Sequence, residues 1–267
     1  KIFYNFRILN NIYCIFLYLK YFKNFKKVFS MQDHFFFLLL KFLSKNFKLI
    51  IRTSSTIIND KNFYEQKNLR KMKLLKFFTI LFYRFADLII TFSEENKKYI
   101  KKKTKRKVIV LYNHFPKKKI IKSNKKLKNI FFIGRLVEDK DPIFFIKQLL
   151  EIRKKFDFKI HIIGKGYLSE KIKDYEKSYP KIIKFYGYVK NPFDRFKHLI
   201  DLFCITSRYD GTPNVLGEAM SLGIPCLAPK KVGLSSFMLK NSQFGYLYDP
   251  EKNNFKSKVI QIEKEYL

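Results

Sequence analysis

Two carboxylates stand out against a basic background. Asp210 and Glu218 lie eight positions apart in the run Ser207-Arg208-Tyr209-Asp210-Gly211-Thr212-Pro213-Asn214-Val215-Leu216-Gly217-Glu218-Ala219-Met220-Ser221-Leu222-Gly223-Ile224-Pro225. The residues between them predict a turn that opens a helix. Gly211 permits an unusual backbone angle or a close ligand approach. Thr212 suits the N-cap, and Pro213 the first helical position, where its missing N–H costs nothing. Asn214–Leu222 has helical apolar spacing, and Gly223 with Pro225 stops it. Such a helix start offers unpaired N–H groups and a positive dipole end to a phosphate. Residues 214 and 218 share a helix face one turn apart. Glu218 is therefore expected within reach of a ribose, and Asp210, before the turn, beside a sugar. Upstream, Gly134 allows a tight turn off an apolar strand, and Arg135 and Lys140 follow on its loop. Arg supplies a planar fork matched to phosphate oxygens, and Lys a mobile point charge. Together these residues read as the floor of a pocket for a nucleotide-sugar.

Other candidates carry weaker signals. Gly164-Lys165-Gly166 follows a strand, but a bare Gly-x-Gly also reads as an ordinary turn. Gln32, Asp33, His34, Arg52, Thr53, Ser54 and Ser93 fall where strands are expected to end. His34 fits an acid/base or a holder of an acceptor hydroxyl, and equally a loop histidine in water or tied to backbone. Ser93 also fits a plain helix cap, Glu218 a carboxylate favouring its helix dipole, and Asp210 a turn residue. No Ser-His-Asp or Cys-His constellation and no metal-ligand cluster emerges from the sequence.

The elements that must position these residues alternate. A basic, aromatic helix is expected over Lys1–Lys27, on a membrane surface or against a sheet. Then come a strand over Lys27–Met31, a helix over Phe35–Asn46, a strand over Phe47–Arg52 and a helix over Lys67–Arg84. Ala86–Phe92 reads as a strand, Glu94–Lys102 as a helix capped by Ser93, and Val108–Tyr112 as a strand. After the Lys-rich segment 113–128 the alternation restarts. Strands are expected over Ile130–Ile133, Lys159–Ile163, Ile183–Tyr186, Leu202–Thr206, Ile224–Ala228 and Gly245–Tyr248. Helices are expected over Pro142–Phe156, Tyr167–Ser178, Phe193–His198 and Asn253 to the end. Strand–helix alternation argues for an α/β protein with parallel sheets, whose ligands gather beyond the carboxyl ends of the strands. The expected organisation is a domain over 1–112, a linker over 113–128 and a second domain over 129–267.

The 267 residues carry 56 Lys and Arg against 22 Asp and Glu, a formal charge of +34. Such a charge attracts acidic partners. Yet the lysines are scattered, and the crowding of Lys, Phe, Ile, Tyr and Asn is what an AT-rich coding sequence produces. No zinc-ligand or RNA-binding aromatic signature accompanies them, so nucleic acid is not the expected partner. Cys14, Cys204 and Cys226 are widely spaced and read as small buried apolar residues in a reducing compartment. The apolar runs Ile12–Leu19 and Phe35–Leu43 are too short or broken to span a bilayer, and no signal-peptide cleavage site follows the first. The expected location is cytoplasmic, either soluble or peripheral on the inner face of the cell membrane.

The pattern Gly134-Arg135 with Lys140, Gly164-x-Gly166, Gly187 before Asn191-Pro192, then Asp210-Gly211-x-Pro213-Asn214-Val215-x-x-Glu218-Ala219-Met220-x-x-Gly223-x-Pro225 resembles the C-terminal domain of family 4 glycosyltransferases. It runs from about Asn129 to Pro250, and residues 27–112 look like the later part of that family's N-terminal domain. The resemblance implies a GT-B fold, two Rossmann-like domains with donor in the C-terminal half and acceptor in the N-terminal half. By it, Arg135 and Lys140 match the pair that holds the donor diphosphate, Glu218 the ribose-binding acid and Asp210 the acid that contacts sugar hydroxyls. Gly134, the amides of Gly211, Thr212, Asn214 and Val215, and the base-holding positions Gly187, Tyr188 and Val189 complete the donor site. His34 and Arg52 fall on the acceptor side. The implied reaction is retaining transfer from a UDP-sugar, or else a GDP-sugar, to a lipid-linked or surface-polysaccharide acceptor, with no cofactor and no metal. The basic half would dock on anionic lipid.

The first acid here is Asp where the family usually has Glu. The family's opening Gly-rich strand–loop and its final crossing helix are also missing, which implies truncation at both ends. The rivals are a nucleotide-sugar epimerase or phosphorylase of the same architecture, a basic nucleic-acid-binding protein, and a noncatalytic relic.

Overall fold

Short runs of Ile, Leu, Phe and Val build ten strands among the residues described by the computed structural model, which are 26–30, 41, 47–53, 77–116, 120 and 126–266. Every strand pair is parallel, so the chain is an α/β protein with two parallel sheets. The chain divides into two units, Lys1–Tyr112 and Asn113–Leu267.

In the first unit, β1 (Lys27–Ser30), β2 (Lys48–Arg52), β3 (Leu88–Thr91) and β4 (Val108–Val110) pair in sequence order. Phe47, Leu49, Ile51, Ile89 and Val108 form its core with Ile100 of α1 (Glu94–Thr104). Ser93 caps α1, its Oγ accepting from the Asn96 N–H at 3.1 Å. Glu94 and Glu95 occupy the first turn of α1 and Lys101–Lys103 the last, the arrangement its dipole favours. The expected helices over 1–27 and 35–46 lie outside the described residues, apart from helical Lys41 and from residues 26 and 27, which lead into and begin β1. So do Cys14, His34 and residues 67–76.

The second unit holds β5 (Asn129–Ile133), α2 (Pro142–Ile152), β6 (Lys159–Ile163), α3 (Ser169–Ser178), β7 (Ile183–Phe185), α4 (Pro192–Phe196), β8 (Leu202–Cys204), α5 (Asn214–Ser221), β9 (Cys226–Pro229), α6 (Ser235–Met238), β10 (Tyr246–Tyr248) and α7 (Phe255–Tyr266). Its sheet order is β7-β6-β5-β8-β9-β10. Strands buried on both faces read as continuous apolar runs rather than alternating ones, and β5 is such a strand. Ile130 and Phe132 point into a core with Phe145, Leu149, Phe255 and Val259, while Phe131 joins Phe193, Phe196, Phe203, Leu216 and Ala219 on the other face. Helices therefore cover both faces. Cys204 and Cys226 are buried, one in each core, and burial pushes both thiols up.

Several element ends differ from the sequence expectation. The helix from Pro142 stops at Ile152, not Phe156, because Phe156 packs on the core from the following turn and lies at a tilt against Phe158, ring centroids 5.0 Å apart. The helix expected from Tyr167 starts at Ser169, because the residues before it form a tight turn closed by Ser169 N–H donating to Gly166 O at 3.1 Å. The strand expected to reach Thr206 ends at Cys204, and Thr206 turns its hydroxyl to the loop after β5. The linker expected over 113–128 is not free at its start. Asn113 Nδ2 donates to Asn214 Oδ1 at 2.5 Å, and a Cβ on Gly217 would stand 2.5 Å from Phe115 Cδ2 and closer to other atoms of that ring.

Candidate nucleotide-sugar site

The order β7-β6-β5-β8-β9-β10 reverses direction between β5 and β8, the crevice where open parallel sheets bind ligands. Both loops singled out by sequence leave the sheet there. Gly134–Asp141 follows β5, and Ile205–Pro213 follows β8. Arg135 is exposed on the first loop, while Lys140 is half-buried in a short 3-10 turn, Glu138–Lys140, that the sequence did not suggest.

The loops at this edge are tied to one another in a row. Gly134 N–H donates to Ile163 O and Leu136 N–H to Lys165 O, each at 3.0 Å, and Gly164 N–H donates to Gly187 O at 2.8 Å. The Gly-x-Gly turn is a packing device. A Cβ on Gly166 would stand 2.6 Å from Leu136 C and closer to its O, and one on Gly164 3.0 Å from Gly134 C. Toward the other side, Arg208 N–H donates to Asp139 O at 2.8 Å, and Thr206 Oγ1 donates to Lys140 O and Asp141 O, both at 3.0 Å. Leu234 N–H then donates to Gly211 O at 3.1 Å. One rim thus runs over the carboxyl ends of β7, β6, β5, β8 and β9.

Asp141 holds the β5 loop to the helix behind it. It sits at φ 47°, caps α2 by accepting from Phe144 N–H at 3.1 Å, and leaves Pro142 as the first helical residue. Its second oxygen accepts from Arg208 Nε at 2.6 Å. Sequence reading missed Arg208 and Thr206: one more Arg in so basic a chain carries no signal, and their partners lie 65 to 67 positions away.

Lys140 Nζ is paired with Asp210 Oδ2, with only 19% and 17% of the two side chains exposed. The cation expected on phosphate and the carboxylate expected on sugar are thus brought together across the switch point. Two expectations about the turn need correction. Thr212 is not the N-cap: that position belongs to Pro213, at φ −72° and ψ 91°, and α5 starts at Asn214. Among the described residues, Thr212 Oγ1 is shielded from water with no hydrogen-bond partner. The tie from Leu234 N–H to Gly211 O anchors the bend at Gly211 and Thr212, and the first bonds of α5 run from Leu216 and Gly217 N–H to Pro213 O at 3.0 and 3.4 Å. The amides of Asn214 and Val215 precede those bonds at the helix start. Gly134 and Gly211 are also not at positive φ, unlike Gly164, Gly187 and Gly233. The close approach here constrains Gly233 instead: a Cβ on it would stand 2.5 Å from Gly211 O.

Glu218 is exposed one turn along α5 from Asn214. Gly187, at φ 65°, and Tyr188 follow β7, with the Tyr188 ring exposed under Lys165 Nζ at 4.9 Å and Val189 packed on the core. Arg52 ends β2 in the other unit. Among the described residues no group of three His, Cys, Asp or Glu side chains could hold a metal ion, and no helix is long and apolar enough to cross a membrane.

Away from this edge lies a second polar chain. Asp201, fully buried, accepts from the Lys128 and Asn129 N–H groups at 3.0 and 2.7 Å and from Asn129 Nδ2 at 3.0 Å. Asn129 Oδ1 then faces His161 Nε2 at 3.0 Å, and His161 Nδ1 faces Tyr186 OH at 2.9 Å. Asp201 fixes the amide orientation, so Nε2 carries the imidazole proton and Nδ1 accepts from the tyrosine. Burial, with the charge of Lys159, lowers the His161 pKa to about 4.

The fold and the switch-point loops define a Rossmann-like unit. Residues 127–265 match the family described as glycosyl transferases group 1, and the chain belongs to that family. An uncharacterized glycosyltransferase of Methanocaldococcus jannaschii is 33% identical over 165 residues, 55% of this chain and 40% of that protein. The Campylobacter jejuni alpha-1,4-N-acetyl-D-galactosaminyltransferase that acts on a diNAcBac-PP-undecaprenol-linked glycan is 25% identical over 66% of this chain and 50% of its own length. The Escherichia coli lipopolysaccharide 1,6-galactosyltransferase is 30% identical over 39% of this chain and 31% of its own. The chain thus spans about a third to a half of the length of these relatives. Among solved structures, the lipopolysaccharide outer core galactosyltransferase WaaB superposes with a TM-score of 0.71 at 20% identity, over 96% of this chain and 71% of that one. Anabaena HepE in complex with UDP and glucose gives 0.67 at 16% identity, over 90% and 67%. At these identities the likeness carries the fold, which is GT-B.

Proposed function

We propose that the chain is the donor-binding part of a retaining glycosyltransferase that moves a sugar from a UDP-sugar to a lipid-linked or surface-polysaccharide acceptor. The observation that carries this is the meeting of the loops after β5 and β8 at the switch point, with Arg135, Lys140, Asp210 and the start of α5 on one rim. The relatives named for lipopolysaccharide and undecaprenol-linked glycans, and a structural neighbour holding UDP, support the choice of acceptor and donor.

Arg135, Lys140 and the first amides of α5 would hold the diphosphate. Glu218 would hold the ribose, and Asp210 a sugar hydroxyl. In the reaction the bond from the anomeric carbon to the diphosphate oxygen breaks as the acceptor oxygen attacks the same face. The acceptor proton passes to the departing phosphate oxygen, and UDP leaves with the bonding electrons. The two cations and the helix start stabilise the charge that grows on that diphosphate, which is where fixed charges lower a barrier most. No protein nucleophile is required.

Calorimetric titration of UDP tests the site. Each charge-assisted hydrogen bond is worth about 1.5–3 kcal/mol, so Arg135→Ala and Glu218→Gln should each weaken UDP by roughly 10- to 100-fold while the circular dichroism spectrum stays unchanged. Unchanged affinity in either variant removes that residue from the site.

A further inference from the structure

A cavity of about 310 Å³ lies beyond β9 and β10, away from the switch point, lined in part by Lys230, Lys252, Lys258, Asn254 and the Asn241–Ser242 turn. Three ammonium groups share it with one carboxylate, Asp249, whose Oδ1 is already engaged by Glu251 N–H at 3.1 Å. Three lysines mean little in a chain with 56 basic residues. What singles these out is their company. Neighbouring Lys231 and Lys256 are ion-paired with Glu251 and Glu151, whereas Lys230, Lys252 and Lys258, the last donating to the neutral Gln261 Oε1 at 3.0 Å, line a space of ligand size, at the low end of small-molecule sites. Amide and hydroxyl groups of Asn254, Asn241 and Ser242 stand among them. α7, three turns long, starts at the cavity wall and adds its positive end. Lys240, Asn241 and Ser242 hold φ of 46°, 53° and 78°, strain that non-glycine residues keep when surrounding structure over-determines it.

We propose that this cavity binds a phosphate-bearing anion at a site separate from that of the nucleotide-sugar. A phosphate is the matching chemistry: its two negative charges offset the excess of ammonium groups, and its oxygens accept from Asn, Ser and Lys donors together. The phosphate could arrive free in solution or on a lipid headgroup. Phe237 and Phe244, 59% and 58% exposed, stand on the segment that leads into and out of the Asn241–Ser242 turn, as an amphipathic lipid contact would require.

Acetylation of lysines by an amine-reactive ester, mapped peptide by peptide at constant ionic strength, reads the cavity directly. One arm replaces chloride with inorganic phosphate. The other adds vesicles of phosphatidylcholine with phosphatidic acid, against phosphatidylcholine alone. At free ligand about twice its Kd, occupancy should slow labelling of Lys230, Lys252 and Lys258 about threefold, with Lys154, Lys155 and Lys181 unaffected. Protection in the phosphate arm identifies a soluble anion, and protection only by phosphatidic acid identifies a lipid headgroup. The chain with Lys230→Gln, Lys252→Gln and Lys258→Gln should lose the response to that probe at least tenfold while binding UDP as before. No protection in either arm, or equal protection of the two lysine sets, overturns the proposal. UDP affinity reports on the donor site independently, so failure of one assignment is distinguishable from failure of the other.

Discussion

Replacing Gly166 by Ala tests whether the Gly-x-Gly turn positions Arg135 or merely tolerates it. The added methyl would stand 2.6 Å from Leu136 C and 2.9 Å from Leu136 N, and an ordinary contact begins near 3.4 Å. These are backbone atoms and cannot rotate aside, so the loop carrying Arg135 must retreat by about 1 Å, an overpacking cost of about 1–3 kcal/mol. The shift strains two bonds, Leu136 N–H to Lys165 O at 3.0 Å and Leu168 N–H to Leu136 O at 3.1 Å. Each is worth about 0.5–1.5 kcal/mol net, so the expected loss of stability is roughly 2–6 kcal/mol. Gly187→Ala is the control. Its methyl meets nothing within 4 Å, and only its φ of 65° is unfavourable, a cost of about 1–2 kcal/mol. Urea unfolding of both variants, with UDP titration of each, separates the effects. Gly166→Ala should be the less stable, and a displaced Arg135 should weaken UDP about tenfold. If Gly166→Ala is as stable as Gly187→Ala and binds UDP as the parent does, the turn does not position Arg135.

Two further perturbations follow from buried charge. His161 has a folded pKa of about 4 against an ordinary 6.5, so the unfolded chain binds its proton first; the stabilising contribution is complete above pH 6.5 and is lost as pH falls toward 4, by roughly 2–3 kcal/mol. Urea midpoints measured from pH 7 to 4 should show this one-proton slope in the parent and not in His161→Gln, and equal slopes would refute it. A double-mutant cycle on Lys140→Met and Asp210→Asn should give a coupling of roughly 1–3 kcal/mol, because both side chains are largely shielded; the exposed Lys173–Glu170 pair should give less, and a coupling no larger than that pair's would show that the switch-point contact is incidental.

Which features were legible in the sequence depended on how locally they are encoded. Ser93 before two glutamates gave the start of α1, and Asp141-Pro142 gave the start of α2, because a cap and its amide lie within three residues. The run Lys159–Ile163 gave β6 to the residue. Apolar spacing misled where an aromatic reaches the core from outside its helix, as Phe156 does beyond α2. At residues 210–213 the local cap rule favoured Thr212, but the tie from Leu234 to Gly211 O decided the path, and that partner lies across β9. Arg208 and Asp141 could not be paired from sequence, since a contact across 67 positions leaves no periodic trace. Lys140 and Asp210 were each singled out, yet as ligands of different groups and not as partners of one another.

The two polar systems of the second unit differ in a way that matches different roles. In the chain Asp201–Asn129–His161–Tyr186, successive donors and acceptors are matched through the amide and imidazole, with Asp201 fully buried. A satisfied buried network of this kind specifies one arrangement of β5, β6 and β8 and leaves nothing over for a ligand. The rim over the carboxyl ends is satisfied in its backbone and less so in its side chains. Its loops are bonded to one another, while Arg135 is exposed and Thr212 Oγ1 is shielded without a partner among the described residues. The Lys140 ammonium is paired with a carboxylate on the facing loop. In the proposed donor role, a rigid backbone with exchangeable side-chain charge would offer a diphosphate donors already placed and one contact, Lys140–Asp210, to compete with.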